Sequence, residues 1–397
     1  MKIAVLHRYP PKQVIGTNAS FIDFLRILSE RSHEVFYFTY KDKGDLPPFN
    51  NLNYVFLPFT FNRGNNLDKV IKTYLWIFLI PIFVLIKNKK EKFDLIYCDD
   101  SVPYFAFLTK ILNLKTKVIM RLGDLQSGYV LADKNKTLFE TALKIETFMW
   151  KKMDGLVAIS NAFKDFLLGR GLDIKKLSVV EESINLEDSN SSKELIQIEK
   201  ENKNETGNKN KTDVVFMFHG ALVSCKGLDT LIKAFALLNK KHSNTKLIIA
   251  GGGGEEKRIK ELVGDLGVKG VEFTGWYNHE KLKEIMGRVD ISVAMRSTNM
   301  ANNFVVTTCL LENWKYKKPV IAPDLESFKG VIKDGVNGVL FEVGNSEDLF
   351  EKMKYLMNKK EMWNVWGENG FKTDQDIFEC KKIASKMVKT LEEYAKR

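Results

Sequence analysis

Residues 214–238 read VVFMFHGALVSCKGLDTLIKAFALL, an apolar run followed by a short loop and an amphipathic segment. In that last segment the apolar residues recur at helical spacing, at positions 228, 231, 232, 235 and 238. A buried strand that passes through a tight loop into a helix is the repeating unit of a parallel α/β sheet. We therefore predict a strand at 214–218 and a helix at 228–238.

The same alternation of strand and helix repeats on both sides of this stretch. Downstream, the sequence predicts strands at 246–250, 271–273, 291–294 and 319–322, with a helix at 256–266. Upstream, it predicts strands at 3–6, 33–38, 94–97, 117–120 and 155–159. A helical pattern begins at Ser20, with Asp23 at the spacing of a capping box. Each half therefore predicts a parallel sheet covered by helices on both faces.

A polar stretch at residues 189–213, dominated by Asn, Lys, Glu and Ser, separates the two halves. Such a composition is typical of a linker. We predict Rossmann-like domains at 1–188 and 214–373, with a terminal helix at about 374–397 that packs back on the first domain. Open parallel sheets bind ligands at the carboxyl ends of their strands, so we expect a ligand cleft between the domains.

The composition excludes several classes of protein. With 44% hydrophobic and 28% charged residues among 397, the chain is globular and not disordered. Its four cysteines, Cys98, Cys225, Cys309 and Cys380, are widely separated, which disfavours structural zinc and a disulfide framework and suits a reducing cytosol. The first apolar run is too short for a signal peptide. A net charge of +11 favours acidic partners, but no nucleic-acid-binding motif is present, so no nucleic-acid partner is predicted.

Three features of the second half carry candidate chemistry. Lys226 lies between a strand and a helix, where an ammonium group and a helix dipole act on one anion. The glycines at 251–254 follow a strand and precede a helix, where backbone amides bind phosphate; Glu256 at the third glycine position disfavours an NAD site. Glu312 can accept a pair of ribose hydroxyls. The ordinary alternatives are a solvated lysine, a turn without a ligand and a helix-capping glutamate.

Taken in order, these features resemble the retaining GT-B glycosyltransferases of the group 1 family. The resemblance is carried by residues 226–227, 251–254, 273–276, 310–321, 334–338 and 344–349, and it is strong from about 214 to 345. Upstream it is looser and rests on Gly16 and on residues 31–35 and 158–162. It implies the GT-B fold, in which two Rossmann-like domains have parallel sheets that face each other across a cleft.

The resemblance also implies roles for individual residues. Lys226 would neutralise the diphosphate of a nucleotide-sugar donor, Glu312 would hold its ribose, and the backbone near Gly275 and Trp276 would read its base. Gly16 would approach the phosphates from the first domain. The other donor-binding candidates are Gly220, Gly251, Arg296, Asn303, Thr307 and Thr308. Such enzymes work without a bound metal, so we predict no metal and no other cofactor. The carboxylates of Asp374 and Asp376 are interpreted as part of a helix cap.

Three positions depart from the family pattern. Ala221 occupies the place of an arginine, Phe304 occupies the place of a glutamate, and residues 121–124 lack the usual histidine. The candidate replacements are Arg296, Asn302 and Asn303 in the second domain and Arg121 or Asp124 in the first. We assign Asp124, together with Lys226 and Glu312, to the catalytic set.

One apolar segment of the first half requires separate interpretation. Residues 74–86 carry no charge, are interrupted by Pro81 and are flanked by lysines. As a helix they would extend about 20 Å, short of the roughly 30 Å hydrocarbon core of a bilayer. Two interpretations remain, a core helix or an amphipathic helix in the plane of a membrane. In the second, the contact candidates are Trp76, Phe78, Lys87, Lys89 and Lys90.

We therefore predict a metal-independent glycosyltransferase that moves a sugar from a nucleotide-sugar to a glycan or lipid-linked glycan, with retention of configuration. We expect it in the cytoplasm or on the cytoplasmic face of the membrane. The alternative, motivated by Ala221 and Phe304, is a catalytically silent GT-B subunit that binds or scaffolds at the membrane. An epimerase or a phosphorylase on the same fold is a third hypothesis, although no lysine environment for pyridoxal is identified.

Overall fold

The protein is described from a computed structural model. The structure describes residues 1–8, 17–41, 49–60, 66–99, 102–131, 135–184 and 213–397. Gly16 and all of the predicted linker except Asp213 lie outside these residues. The chain forms two compact units, one of Met1–Ile184 with Glu379–Arg397 and the other of Asn185–Phe378.

The first unit is a parallel sheet with helices. Its strands are β1 (Lys2–Leu6), β2 (Glu34–Lys41), β3 (Leu52–Thr60), β4 (Leu95–Cys98), β5 (Lys117–Leu122), β6 (Gly155–Ala158) and β7 (Leu177–Val179). Its helices are α1 (Thr17–Glu30), α2 (Asn66–Glu91), α3 (Pro103–Leu112), α4 (Gln126–Leu131), α5 (Lys136–Lys152), α6 (Asn161–Gly169) and the terminal α14 (Cys380–Lys396). The strands are all parallel, in the order β3-β2-β1-β4-β5-β6-β7.

The second unit repeats this architecture. Its strands are β8 (Val214–His219), β9 (Thr245–Ala250), β10 (Val271–Gly275), β11 (Ile291–Val293), β12 (Val320–Pro323) and β13 (Val339–Phe341). Its helices are α7 (Leu228–Lys241), α8 (Glu256–Asp265), α9 (His279–Arg288), α10 (Thr308–Lys315), α11 (Glu326–Lys329), α12 (Ser346–Asn358) and α13 (Trp363–Ile377). The sheet is parallel throughout, in the order β10-β9-β8-β11-β12-β13.

The predicted fold class, with two parallel-strand sheets, is confirmed, and each predicted strand is present. Three strands were not predicted from the sequence. β3 lies at the edge of its sheet and contains Pro58, which interrupts the alternating pattern of a strand. β7 and β13 have three residues each, too few for a periodic pattern.

Two local predictions are wrong, and one helix is longer than the segment that the sequence singled out. Helix α1 begins at Thr17, so Ser20 is not its N-terminal cap. Helix α2, which contains residues 74–86, has 26 residues and continues through Pro81, with Ile80 and Val84 buried on one side. Asp374 does not cap a helix: it lies in the last turn of α13, fully buried, and forms an ion pair at 2.8 Å with the Nζ atom of Lys315.

The terminal helix α14 packs against α1 in the core of the first unit. Its Tyr394 hydroxyl donates to the carbonyl oxygens of Leu156 at 3.2 Å and Lys176 at 2.8 Å. A Cβ atom at Gly155 would lie 2.5 Å from the Tyr394 ring, so β6 needs glycine where the helix crosses it. The last residues of the chain therefore complete the unit that its first residues begin.

In the described part of the chain, no helix combines the length and the apolar composition needed to cross a bilayer.

Candidate functional site

The candidate site lies at the carboxyl ends of β8, β9 and β10, where three glycine-containing loops approach one another. Gly220 and Gly251 have positive φ angles of 130° and 140°. A Cβ atom on Gly251 would lie 1.9 Å from the carbonyl oxygen of Gly220, so no other residue fits there without moving the backbone. The amide of Gly251 also donates to the Gly275 carbonyl at 2.9 Å. The backbones of the loops after β8, β9 and β10 are therefore in direct contact at this edge of the sheet.

Trp276 follows the third of these loops and is 70% exposed. Its indole lies over the glycine run, because a Cβ atom on Gly252 would be 2.7 Å from the indole Nε1 atom. Gly275 before it has a φ of 69° and turns the chain out of β10. The exposed indole ring of Trp276 therefore lies beside the backbone of the glycine run.

Lys226 ends a short 3-10 turn, Ser224–Lys226, between β8 and α7. This turn is fixed against the loop that follows β11. The amide of Ser297 donates to the Cys225 carbonyl at 2.9 Å, and the buried Asn302 side chain donates to the carbonyls of Cys225 at 3.0 Å and Ser297 at 2.9 Å. Asn302 therefore holds two loops together and is not available to replace a missing cation.

Two cations are held close together at this junction. Burial, together with the charge of Arg296, lowers the pKa of Lys226 to about 8. The Arg296 Nη1 atom donates to the Asn302 Oδ1 atom at 3.2 Å, while its buried Nε has no hydrogen-bond partner within the structure as described. Neither side chain forms an ion pair with any described residue. The nearby carboxylate of Glu312 offsets only part of the charge of these two cations, so the position is attractive to a polyanion.

The N-terminus of α10 lies beside the same cations. Thr307 is its cap, and its hydroxyl accepts a hydrogen bond from the Leu310 amide at 3.2 Å. The amides of Thr308 and Cys309, in the first turn, have no carbonyl acceptor within the helix and carry the positive end of its dipole. Burial raises the pKa of the Cys309 thiol to about 12, so this thiol stays protonated.

Glu312, on the second turn of α10, is largely buried. Burial raises the pKa of its carboxyl group, and the charge of Lys226 opposes that rise. Its Oε2 atom lies 3.4 Å from the Nδ1 atom of His219. A carboxylate beside Lys226 is thus kept partly out of water, as hydrogen bonding to a ligand requires.

His219, the last residue of β8, is fully buried and links this strand to α10 and to the loop after β10. Its Nε2 atom lies 3.0 Å from Asn313 Oδ1, which only accepts, so Nε2 carries the proton. Burial lowers the pKa of His219, and in the neutral ring Nδ1 accepts from the Tyr277 hydroxyl at 3.1 Å. His219 therefore joins β8 to α10 and to the loop that holds Tyr277, and the sequence had given it no role.

The sequence did offer one signal for His219, since it directly precedes Gly220 in the loop that carries Lys226. Nothing local indicated its partners Tyr277 and Asn313, which are 58 and 94 residues away.

Asn303 lies in the loop before α10, and its Oδ1 atom accepts from the first amide of α11, that of Glu326, at 3.5 Å. Phe304, at the position of the missing glutamate, is buried and apolar.

The candidates of the first unit lie at the carboxyl end of its own sheet. Asp124 is half-buried in the loop between β5 and α4. Arg121, on β5, lies 3.5 Å from Asp99, which also accepts from the Tyr97 hydroxyl at 3.0 Å. Arg121 is therefore a paired cation, unlike the two in the second unit. Gly16 lies outside the described residues.

The membrane-contact candidates divide into two groups. Trp76 is fully buried against Tyr40, with ring centroids 5.1 Å apart, so its assignment to a membrane contact is wrong. Lys87 is engaged within the unit, in an ion pair with Glu91 at 3.3 Å. Phe78, Lys89 and Lys90 are exposed.

The sequence of this chain is similar to those of glycosyltransferases. Residues 199–373 match the family model "Glycosyl transferases group 1". An uncharacterized glycosyltransferase of Methanocaldococcus jannaschii is 26% identical over 298 residues, which are 74% of this chain and 72% of that protein. The lipopolysaccharide core biosynthesis glycosyltransferase LpsE of Rhizobium meliloti is 29% identical over 160 residues, 40% of this chain and 44% of that protein.

Among solved structures, HepE of Anabaena in complex with UDP superposes with a TM-score of 0.69. The alignment covers 99% of this chain and all of that chain, at 16% sequence identity. At this identity the likeness establishes the fold alone, and that fold is the GT-B fold.

Proposed function

We propose that this chain, which carries a group 1 glycosyl transferase domain at residues 199–373, transfers a sugar from a nucleotide-sugar to a hydroxyl of a glycan or lipid-linked glycan with retention of configuration. In this reaction the acceptor oxygen forms a bond to the anomeric carbon of the sugar, on the face from which the diphosphate leaves, and the hydroxyl proton passes to the diphosphate. The bond between that carbon and the phosphate oxygen breaks, and the nucleoside diphosphate leaves with the electron pair. Negative charge therefore grows on the diphosphate as the reaction proceeds.

The second unit offers two cations and a helix N-terminus for that charge. Lys226 and Arg296 would bind the diphosphate, and the free amides of Thr308 and Cys309 would bind a phosphate oxygen. Groups that are already held in place where charge develops stabilise the transition state without reorganising. Since the cations repel each other in the free protein, the departing diphosphate relieves an existing electrostatic cost.

Arg296 is our candidate for the arginine that the family pattern places at Ala221. Its charge lies near enough to Lys226 to lower the lysine pKa, and it forms no ion pair among the described residues. Asn302 and Asn303 are engaged with the backbone of neighbouring loops, which leaves Arg296 the better replacement.

Glu312 would accept hydrogen bonds from the ribose hydroxyls. Its carboxylate must be ionised to accept two, and the charge of Lys226 opposes the effect of burial on its pKa. The base would lie near the backbone of Gly275 and the exposed ring of Trp276. The glycines at 220 and 251 would allow the ligand to approach the backbone closely.

We assign acceptor recognition to the first unit, with Asp124 as the candidate catalytic group there, and we propose that the reaction needs no metal. The alternative of a catalytically silent subunit is not favoured by the match to a family of transferases. The observation that carries the proposal is the pair of adjacent unpaired cations beside the N-terminus of α10.

The test is a melting experiment on the full chain with uridine, guanosine, adenosine and cytidine diphosphates, each with and without EDTA. We expect one nucleotide to raise the melting temperature, because a ligand that binds only the native state stabilises it. EDTA should leave that rise unchanged. No rise with any of the four would overturn the assignment of the diphosphate site. Proton NMR of the anomeric position in donor and product then decides between retention and inversion.

A further inference from the structure

Helix α2 leaves one side apolar and exposed. Its buried side packs on the sheet through Ile77, Ile80 and Val84. The opposite side exposes apolar side chains at helical spacing, namely Ile71, Tyr74, Leu75, Phe78, Ile82 and Ile86. Phe78 is 59% exposed and Ile86 is 65% exposed. The stripe from residue 71 to residue 90 extends roughly 29 Å along the helix.

Two further helices continue this surface. The connections β3–α2–β4, β4–α3–β5 and β5–α5–β6 run in one direction along the sheet, so right-handed crossovers place α2, α3 and α5 on the same face. The helices touch in that order, with the rings of Phe107 and Phe148 5.8 Å apart between α3 and α5. Their exposed apolar residues are Tyr104, Ile111 and Leu112 on α3, Leu114 just after it, and Leu138, Ile145 and Phe148 on α5. We call these residues and the α2 stripe the apolar helix face.

The charged residues around the apolar helix face are mostly basic. Lys89 and Lys90 continue the stripe of α2 at the next helical turn, and Lys115 follows α3. On α5, Lys144 is exposed and Lys152 lies over the ring of Phe148 at 5.3 Å. Between residues 69 and 90 the sequence contains no Asp or Glu, and α3 contains none. The carboxylate of Glu91 is paired with Lys2, and Glu146 is buried with a hydrogen bond from Ser127.

We infer that the apolar helix face binds the surface of an anionic lipid bilayer. The apolar side chains would enter the boundary between headgroups and acyl chains, with α2 lying in the membrane plane. The lysine stems would extend along the surface so that their ammonium groups contact lipid phosphates. A second copy of the chain fits this charge pattern poorly, because a two-fold interface would bring the two sets of lysines together.

The first test measures co-sedimentation of the full chain with vesicles of phosphatidylcholine, with or without phosphatidylglycerol. No nucleotide is present, so the outcome does not depend on the proposed transfer reaction. We expect binding to the anionic vesicles at least about tenfold tighter than to the neutral ones, since each surface lysine contributes to the difference. Absence of binding to the anionic vesicles would overturn the inference.

The apolar contribution is tested with the double variant Phe78→Glu/Ile82→Glu. Both positions are exposed, so the fold should persist, which a melting curve checks. We expect vesicle binding to weaken by about tenfold or more, because two apolar side chains no longer leave water. The matched control is Leu266→Glu/Val365→Glu, at two positions of the second unit that are 45% and 46% exposed; it should bind as the parent does. Equal losses in both variants would contradict a specific face.

The electrostatic contribution is tested with Lys89→Gln/Lys90→Gln against Lys269→Gln/Lys333→Gln, two exposed lysines of the second unit. Only the first pair should weaken binding to the anionic vesicles, by about tenfold at low salt and less at high salt. Light scattering without lipid tests the alternative that the face binds a second copy of the chain. A dimer that Phe78→Glu/Ile82→Glu converts to a monomer would show that the face binds a second copy and would overturn the membrane assignment.

Discussion

The two units carry cations at the same place in the same architecture, yet they treat the charges differently. At the carboxyl end of the first sheet, Arg121 lies 3.5 Å from Asp99 on the neighbouring strand's exit, and the pair is largely buried. At the corresponding end of the second sheet, Lys226 and Arg296 lie together with no ion pair among the described residues. A buried cation with a partner contributes to the structure, whereas adjacent cations that form no ion pair remain open to a ligand, as the proposed function requires. The comparison teaches that pairing, more than position, is what distinguishes the two sets of charges.

The largest effect should come from the variant Asp99→Asn, which breaks the ion pair between Asp99 and Arg121 in the first unit. The amide keeps the oxygen that accepts from Tyr97 but removes the charge opposite Arg121. Removing one partner of a buried ion pair costs about 3–5 kcal/mol, so the melting temperature should fall by about 10 °C. Binding of a nucleoside diphosphate to the folded protein should not change.

The control for that variant is the double variant Asp99→Asn/Arg121→Met, which removes both charges and should recover part of the lost stability. A melting temperature equal to that of the parent for Asp99→Asn alone would show that Arg121 does not depend on its partner, and the contrast between the units would fail.

The next effect concerns Lys226→Met, which removes one of the unpaired cations. The affinity for the nucleoside diphosphate, measured by calorimetry, should fall about 100-fold, because a charge-assisted contact worth roughly 2–3 kcal/mol is lost. The ligand-free protein should become slightly more stable, because Arg296 no longer faces a like charge.

An exposed lysine, replaced in Lys333→Met, serves as the matched control for both measurements. Unchanged affinity in Lys226→Met would remove the lysine from the binding site, and a fall in ligand-free stability would show that its charge is compensated in the free protein.

A smaller effect is expected from pH. The pKa of Lys226 is lowered from 10.5 to about 8 in the free protein, so the ammonium is present at pH 7 and mostly lost at pH 9. A bound diphosphate favours the ammonium and raises this pKa, so binding takes up a proton near pH 8. The affinity should therefore fall about tenfold between pH 7 and pH 9.

The same lowered pKa makes the stability of the folded chain rise with pH, whereas the affinity for the diphosphate falls. Between about pH 8 and 10.5 the unfolded chain binds a proton at Lys226 that the folded chain has released, so this group adds stability as pH rises. Calorimetry in buffers of different ionisation enthalpy measures the proton uptake on binding. A pH profile that persists in Lys226→Met would assign it to another group.

The smallest effect is expected from Arg296→Lys, which keeps the charge and removes the planar fork. The affinity should fall about threefold, less than for Arg296→Gln, because two parallel hydrogen bonds become one. Without ligand, Arg296→Lys should keep nearly the parent melting temperature, whereas in Arg296→Gln the relief of repulsion with Lys226 should offset part of the loss of the hydrogen bond to Asn302. If Arg296→Gln binds as tightly as the parent, Arg296 does not replace the missing arginine.

The sequence predicted most of the fold because buried strands of a parallel sheet are continuous apolar runs that local composition reveals. β3 was missed because an edge strand tolerates polar residues and a proline. Residues 74–86 are helical, as both interpretations of the sequence required, although a proline inside a helix carries a local penalty. Lys226 and Glu312 were identified because their spacing resembled a family pattern, and the structure adds the electrostatic setting of both.

Other features depended on contacts that no local pattern contains. His219 is bonded to Asn313, 94 residues away, so its function in joining β8 to α10 emerges only when these two elements pack together. Trp76 and Phe78 are two residues apart in a segment that is apolar on every side. Only the position of the sheet decides that the first is buried and the second exposed.

By itself, the sequence determined two α/β halves, the strands of their sheets and the loop that holds Lys226, because hydrophobic periodicity and glycine placement are local properties of the chain. The tertiary structure decided which cations are paired, which side of α2 faces water and which groups surround Glu312. Burial and pairing depend on residues that are distant in the chain and meet only after it has folded.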